Sequence, residues 1–178
     1  MTLEERLATF LGAKPSIHPS AYVSPHAVVL GDVRIGPRAS IWPFTVLRGD
    51  INSIEVGEGS NIQDGAIIHV SDDHPTVLGK YVTVGHRAIV HACRVEDEAL
   101  VGMGATVLDG AVIGKGSLIG AHALVTQKQI IPPGVMVMGS PAKVTRHLRP
   151  EEKLKTVYWA HKYVEVAVAH AKKMKDNS

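Results

Sequence analysis

The sequence predicts an all-β protein, a parallel β-helix of hexapeptide repeats, and three observations carry that prediction. An aliphatic residue returns at every sixth position through Ile17, Val23, Val29, Ile35, Ile41 and Leu47, and the beat runs again without interruption from Val95 to Val137. A period of six matches neither the 3.6 of a helical stripe nor the two of a half-buried strand. It marks a repeat in which each hexapeptide forms one short side of a coil and points its aliphatic residue inward. Finally, 45% of the chain is hydrophobic but only 4% is aromatic, so the interior must be built from Val, Ile, Leu and Ala, which suit the narrow cross-section of a solenoid.

The elements follow in order. Residues 1–12 form a short N-terminal helix, because Thr2 and Glu5 make a capping box and Gly12 can end the turn. Residues 13–148 form the β-helix. A few extra residues between Ile51 and Ile54 delay the beat before Val56, Ile62 and Ile68. Ser71, Asp72, Asp73, His74 and Pro75 then have turn chemistry and leave the coil, which resumes at Leu78, Val84 and Val90. Pro132, Pro133, Gly134 and Gly139 close the last turns. Residues 149–178 form a C-terminal α-helix, whose buried stripe is expected at Leu154, Val157, Tyr158, His161, Val164 and Val168, spaced by three and four.

Composition narrows the function. The formal charge of +2 is spread without a basic block, which gives no reason to expect nucleic acid as a partner. No apolar run approaches the length of a membrane span, so no membrane association is expected. Cys93 is the one cysteine; no intrachain disulfide framework exists, and a cytoplasmic or organelle-matrix address is expected by default. Its expected role is a small buried filler.

Function then belongs to the outward positions, where the histidines stand out. His69 follows the beat residue Ile68, and His91 follows the beat residue Val90, so the two share one phase. Their 22-residue separation equals a coil of about eighteen residues plus a loop excursion of about four. They are expected to stack on adjacent coils roughly 4.8 Å apart, a workable distance for two ligands of one metal. His86 is one step out of phase and projects from another part of the coil, so a third ligand from a neighbouring copy in a three-fold ring would complete the set. Arg48, Asp50, Asn61 and Gln63 lie one or two coils earlier and are expected on the same side. The competing reading is plain: outward histidines are commonly surface residues, and an exposed Arg48–Asp50 pair contributes only about 0–1 kcal/mol. His18, His26, His122, His147, His161 and His170 lack the shared phase and are expected to have surface or packing roles.

Taken together, Arg48-Gly49-Asp50, Asn61-Ile62-Gln63-Asp64 with His69, and Gly85-His86 with His91 resemble the signature of the γ-class carbonic anhydrases. The likeness runs from about Ile17 to the C-terminal helix. It implies a left-handed β-helix, a homotrimer, and zinc, with iron or cobalt as alternatives, held by His69 and His91 of one subunit and His86 of the next. It implies reversible hydration of carbon dioxide to bicarbonate by metal-bound hydroxide at the trimer interface. Gln63 would then hydrogen-bond the metal-bound water, Arg48 and Asp50 would pair across the interface, Asn61 would support the site, and Tyr163 would reach it from the C-terminal helix, with Tyr158 a nearby competitor. Lowering a water pKa from about 15.7 to about 7 is worth roughly 12 kcal/mol. A neutral hydrogen bond supplies only about 0.5–1.5 kcal/mol, so Gln63 would orient and the metal activate.

This chain departs from the family's best-known archaeal enzyme. Ile51 stands where that enzyme has a glutamate, and its long acidic loop is reduced to the stretch around Asp72 and Asp73, leaving those two and His74 as the candidates for proton export or as turn residues only. Two other classes remain open. Gly139-Ser140-Pro141-Ala142-Lys143 resembles the segment with which hexapeptide acyltransferases leave the coil and line a coenzyme A site, which would make the protein an acyltransferase or thioesterase; it equally serves as a structural stop. A non-catalytic metal-binding trimeric scaffold is the third reading.

Overall fold

The structure, a computed structural model, describes residues 1–176. It is a three-faced parallel β-solenoid of about seven turns. The first face stacks Tyr22–Val23, Ser40–Ile41, Asn61–Ile62, Thr83–Val84, Leu100–Val101, Leu118–Ile119 and Val135–Met138. The second runs through Val28, Val46, Ile67, Ile89, Thr106 and Leu124, and the third through Ile17, Ile35, Val56, Leu78, Val95, Ile113 and Ile131. Two long strands, Val28–Ile35 and Val46–Val56, bend round the corner from the second face to the third.

The hexapeptide beat explains the stack. Leu47, Ile68, Val90, Val107 and Val125 stand directly above one another on the second face and are wholly buried. Equivalent columns, Ile41 to Val137 and Ile35 to Ile131, rise inside the other two faces. From Arg38 onward most corners turn on a residue in the left-handed region, where glycine carries no steric penalty. Gly110, at φ +68°, is one such residue. The five-residue step between Val90 and Val95 is accommodated by Ala92, whose φ is +49°.

At the N-terminus, the capping box forms as the sequence predicts: Glu5 N donates to Thr2 Oγ1 at 3.1 Å and Thr2 N to Glu5 Oε2 at 2.7 Å. Only α1, Leu3–Arg6, is a regular α-helix; Leu7–Leu11 widens into a π-turn, and Gly12 ends it with φ −69° rather than in the left-handed conformation. At the other end, Val135–Met138 and Lys143–His147 form an antiparallel hairpin that closes the coil, so residues 139–143 act as a structural stop. The helix α2, Pro150–Asp176, then returns along the first face. Arg146 and Arg149 both grip Glu152 in its first turn, at 2.7–3.0 Å, and hold that carboxyl well below the usual carboxylate range.

The buried stripe of α2 differs from the expected one. Leu154, Tyr158 and Val168 are 72%, 59% and 66% exposed, whereas Thr156, Ala160 and Ala167 are buried and Tyr163 is half-buried. Small residues win because the helix lies close against the coil, where Tyr22 and Trp42 fill the gap; Trp42 meets Tyr163 edge-on with ring centroids 5.5 Å apart. His161 stacks on Tyr81 and His170 packs against Trp42, both packing roles.

The inward column makes a quantitative expectation. Ile68→Ala removes a fully buried side chain between Leu47 and Val90, so urea denaturation should show a loss of about 2–5 kcal/mol; a change below 0.5 kcal/mol would contradict the column as the source of cohesion.

Candidate functional site

His69 and His91 end the second-face strands Ile67–His69 and Ile89–His91 and are direct partners in the parallel pairing. Parallel register carries each side chain over its predecessor, so the rings lie with centroids 5.1 Å apart. His69 Nδ1 and His91 Nε2 approach to 3.1 Å. The outer nitrogen of each ring faces a carboxylate: His69 Nε2 lies 3.0 Å from Asp50 Oδ1, and His91 Nδ1 lies 2.6 Å from Asp109 Oδ1. Asp50 in turn accepts from Arg48. One corner of the coil therefore carries a column, Arg48–Asp50–His69–His91–Asp109. The Arg48–Asp50 pair forms within one chain, whereas the resemblance implies pairing across subunits.

Electrostatics favours neutral imidazole facing anionic carboxylate at this corner. Burial pushes the His69 ring below its ordinary value, and Arg48 and His91 add to that effect while Asp50 opposes it. Burial alone would raise Asp50, but hydrogen bonds from His69 and Arg48 outweigh it and hold the carboxyl below the usual range.

The second group sits at the other end of the second-face strands. Asn61 and Gln63 flank the inward Ile62 on the first face, beneath α2, and are buried. They are therefore not on the same side as His69 and His91 within one chain; the outward positions around Ile62 belong to the coil side that precedes the His69 strand. Asn61 Nδ2 donates to Thr83 Oγ1 at 2.9 Å, and Asn61 Oδ1 accepts from Gln63 Nε2 at 3.0 Å. The next residue, Asp64, stands at the corner, 3.0 Å from His86 Nδ1. Tyr163 belongs here too: burial pushes its hydroxyl pKa up, and the Asp64 charge adds to the rise. Tyr158 is exposed on the far side of the helix.

A single chain thus carries two half-sites on adjacent corners, with one coil face between them. Among the described residues no group of three or more His, Cys, Asp or Glu side chains is arranged to hold a metal within one chain. The donor chemistry nevertheless fits a cation. Two imidazole nitrogens bound to one tetrahedral zinc at 2.0–2.1 Å lie about 3.3 Å apart, close to the 3.1 Å between His69 and His91. Each candidate ligand also has a carboxylate on its other nitrogen, the arrangement that fixes tautomer and orientation in metal-binding histidines.

Asp109, and the pairing of Asp64 with His86, are not anticipated from the sequence. The signal is present: Asp109 follows His91 by 18 residues, one coil, and Asp64 precedes His86 by the same 22-residue step that separates His69 from His91. Cys93, two residues beyond His91, is turned inward and buried, and burial pushes its thiol pKa up to about 12. A thiol reagent at pH 8 should therefore leave the native protein unlabelled over minutes and react at once in denaturant; rapid native labelling would place the sulfur outside.

Comparisons with known proteins agree with the architecture. Residues 14–49 and 92–127 match the family described as bacterial transferase hexapeptide (six repeats). The chain is 46% identical over 163 residues to gamma carbonic anhydrase 1, mitochondrial, of Arabidopsis thaliana, an alignment covering 88% of this chain but 59% of that relative. It is 46% identical over 136 residues to a protein named "Probable carbonic anhydrase" in Methanocaldococcus jannaschii, covering 76% of this chain and 86% of the relative. The crystal structure of a hexapeptide transferase family protein from Anaplasma phagocytophilum superimposes with a TM-score of 0.86 at 44% identity, covering 89% of this chain and 93% of that one.

Proposed function

We infer that this chain, which belongs to the γ-carbonic anhydrase-like family of hexapeptide-repeat proteins, catalyses the reversible hydration of carbon dioxide at a metal shared between subunits of a homotrimer. The observation that carries this reading is the split site. His69 and His91 converge at one corner, and His86 stands alone at another with its Nε2 free of the Asp64 contact. Two nitrogens are one short of the three protein ligands of a catalytic zinc site, so a neighbour must lend the third.

The surface between the half-sites suits such a neighbour. Val28, Val46, Ile67, Ile89 and Leu124 point outward along the second face in register, and Val28, Ile67 and Ile89 are exposed. A ladder of this kind, apolar at every rung but Thr106, favours burial against another chain. With one copy's second face against the next, the His69–His91 corner of one subunit would meet the His86 corner of the other, three times around a closed ring.

Zinc, with iron or cobalt as alternatives, would supply Lewis acidity that makes water a nucleophile at neutral pH. The chain's own residues would do the rest. Asp50, Asp64 and Asp109 hold the three imidazoles in orientation. Gln63, held by Asn61, presents an amide to the reacting water, and Tyr163 closes the same side from α2. Arg48 keeps Asp50 ionised, and Asp50 keeps His69 aimed.

Three measurements test this reading. Stopped-flow carbon dioxide hydration on anaerobically purified protein should show metal-dependent activity that chelation abolishes. His86→Ala and His91→Ala should each abolish metal binding, and trimers mixed from the two variants should regain about one site in three, because one interface then pairs an intact His91 with an intact His86; mixed trimers that regain no metal would refute the shared site. Asp109→Asn should leave the fold intact while weakening metal affinity by about 10–100-fold, read by competition with a chelator.

A further inference from the structure

We propose that Arg6 is a positioning residue for the metal centre: from the N-terminal helix it fixes the backbone that carries Asp50, and through Asp50 it aims His69. The inference rests on the metal-centre reading of that corner. The need for such a residue comes from the sheet. Between the long strands Val28–Ile35 and Val46–Val56 the pairing runs as far as Gly31↔Gly49 and resumes at Val33↔Ile54, so Asp50, Ile51, Asn52 and Ser53 bulge out opposite Asp32 alone. On the other side the pairing stops at Leu47↔Ile68 and resumes at Ile54↔Thr76. The register that orders the column elsewhere therefore does not reach Asp50. A carboxylate on backbone outside the ladder swings with that backbone, and His69, 3.0 Å away, would lose its orienting partner.

Side chains supply what the ladder leaves out. Arg6 Nη1 donates at 3.2 Å to the carbonyl of Ile51, the residue after Asp50, and Arg6 Nε lies 3.8 Å from Asp72 on the insertion that follows His69. Asn52 joins the two segments: its Nδ2 donates to the carbonyls of Ser71 and Asp72 at 3.1 and 3.2 Å, and its Oδ1 accepts from Ser53 N at 2.9 Å. Bulge and insertion are thus tied to each other and to Arg6. Asp72 is 62% exposed, so solvent screens its pairing and the Ile51 carbonyl is the main hold. The arginine is itself seated, with its side chain only 16% exposed. Arg6, Leu7 and Phe10 are half-buried, and the Phe10 carbonyl stands 3.0 Å from where a Cβ at Gly31 would lie. Gly31, at φ +80°, is the point where the helix, the first long strand and Gly49 come closest. A planar fork that serves two acceptors at once and keeps its charge suits this node.

The test uses the full-length protein with and without zinc. In the metal-free protein, Arg6→Ala should speed hydrogen exchange by about 10-fold at the Ser53 and Ser71 amides, which bond within the bulge and the insertion. The Val46 and Ile67 amides of the flanking strands, bonded to the next coil, should be unchanged; a merely cohesive role would speed all four together. Zinc affinity, read by competition with a chelator, should fall by about 10-fold in Arg6→Ala. Arg6→Lys should recover part of that loss, because an ammonium still reaches one acceptor, and Glu4→Gln on the same helix should change neither reading. On an Asp50→Asn background, Arg6→Ala should cost nothing further, since the route runs through that carboxylate. Wild-type zinc affinity in Arg6→Ala, a uniform rise in exchange, or losses that multiply in the double variant overturns the clamp and leaves the shared metal site standing. A wild-type protein that binds no zinc, iron or cobalt overturns the metal-centre reading and the clamp with it.

Discussion

The structure depends on one constraint: an aliphatic side chain must enter the coil at every sixth residue, or the three flat faces cannot stack. Satisfying it fixes the length of a turn at about eighteen residues and locks register, because a slip by one would turn Ile62 or Ile68 out and bring a polar neighbour in. Register converts sequence distance into spatial order. His69 lies over His91 because Ile68 lies over Val90, and Asp109 reaches His91 because Val107 continues the same column. The chemistry at the corner is thus a consequence of packing inside it.

The same constraint accounts for the division of the site. The inward columns are filled with Val, Ile and Leu, which offer no donor or acceptor. The histidines and aspartates are forced outward onto convex corners, while Asn61 and Gln63 lie on the first face beneath the helix. A convex surface does not by itself surround a small ligand; it needs an opposing wall. The helix α2 supplies part of one over the first face, bringing Tyr163 toward Asp64. On the proposed reading a second copy supplies the other, and the apolar ladder of the second face then does for the oligomer what the inward columns do for the coil.

Much of this was legible in the sequence, for an identifiable reason. The six-residue beat survives insertions, so subtracting the excursion at Ser71–Pro75 aligns His69 with His91 from the sequence alone. What was illegible shares a different cause. The buried face of α2 is set by clearance over Tyr22 and Trp42, and Ala160, Ala167 and Thr156 fit where a stripe of Leu and Val would not. Nothing in the helix sequence announces that clearance. Asn61 and Gln63 precede His69 by only eight and six residues, less than half a coil, which places them on the preceding face rather than beside it. Asp109 is a lone carboxylate at a turn, indistinguishable from any other until the coil length is applied to it.

The pairing of every candidate ligand with an aspartate has a further consequence for how such a corner can be built. A column of like groups repeating each coil would place charges of one sign about 5 Å apart, and two facing carboxylates or two protonated imidazoles would repel. Along the column the order is instead guanidinium, carboxylate, imidazole, imidazole, carboxylate. The only like neighbours are His69 and His91, and burial together with Arg48 keeps His69 from gaining charge. The arrangement leaves one gap where two ring nitrogens face each other 3.1 Å apart, each ring with a carboxylate on its other nitrogen. Charge and geometry agree there: two carboxylates flank the point where two ring nitrogens converge. A surface column of unrelated side chains would have no reason to satisfy both conditions at one point, and that coincidence is the physical case for reading the corner as half of a metal centre.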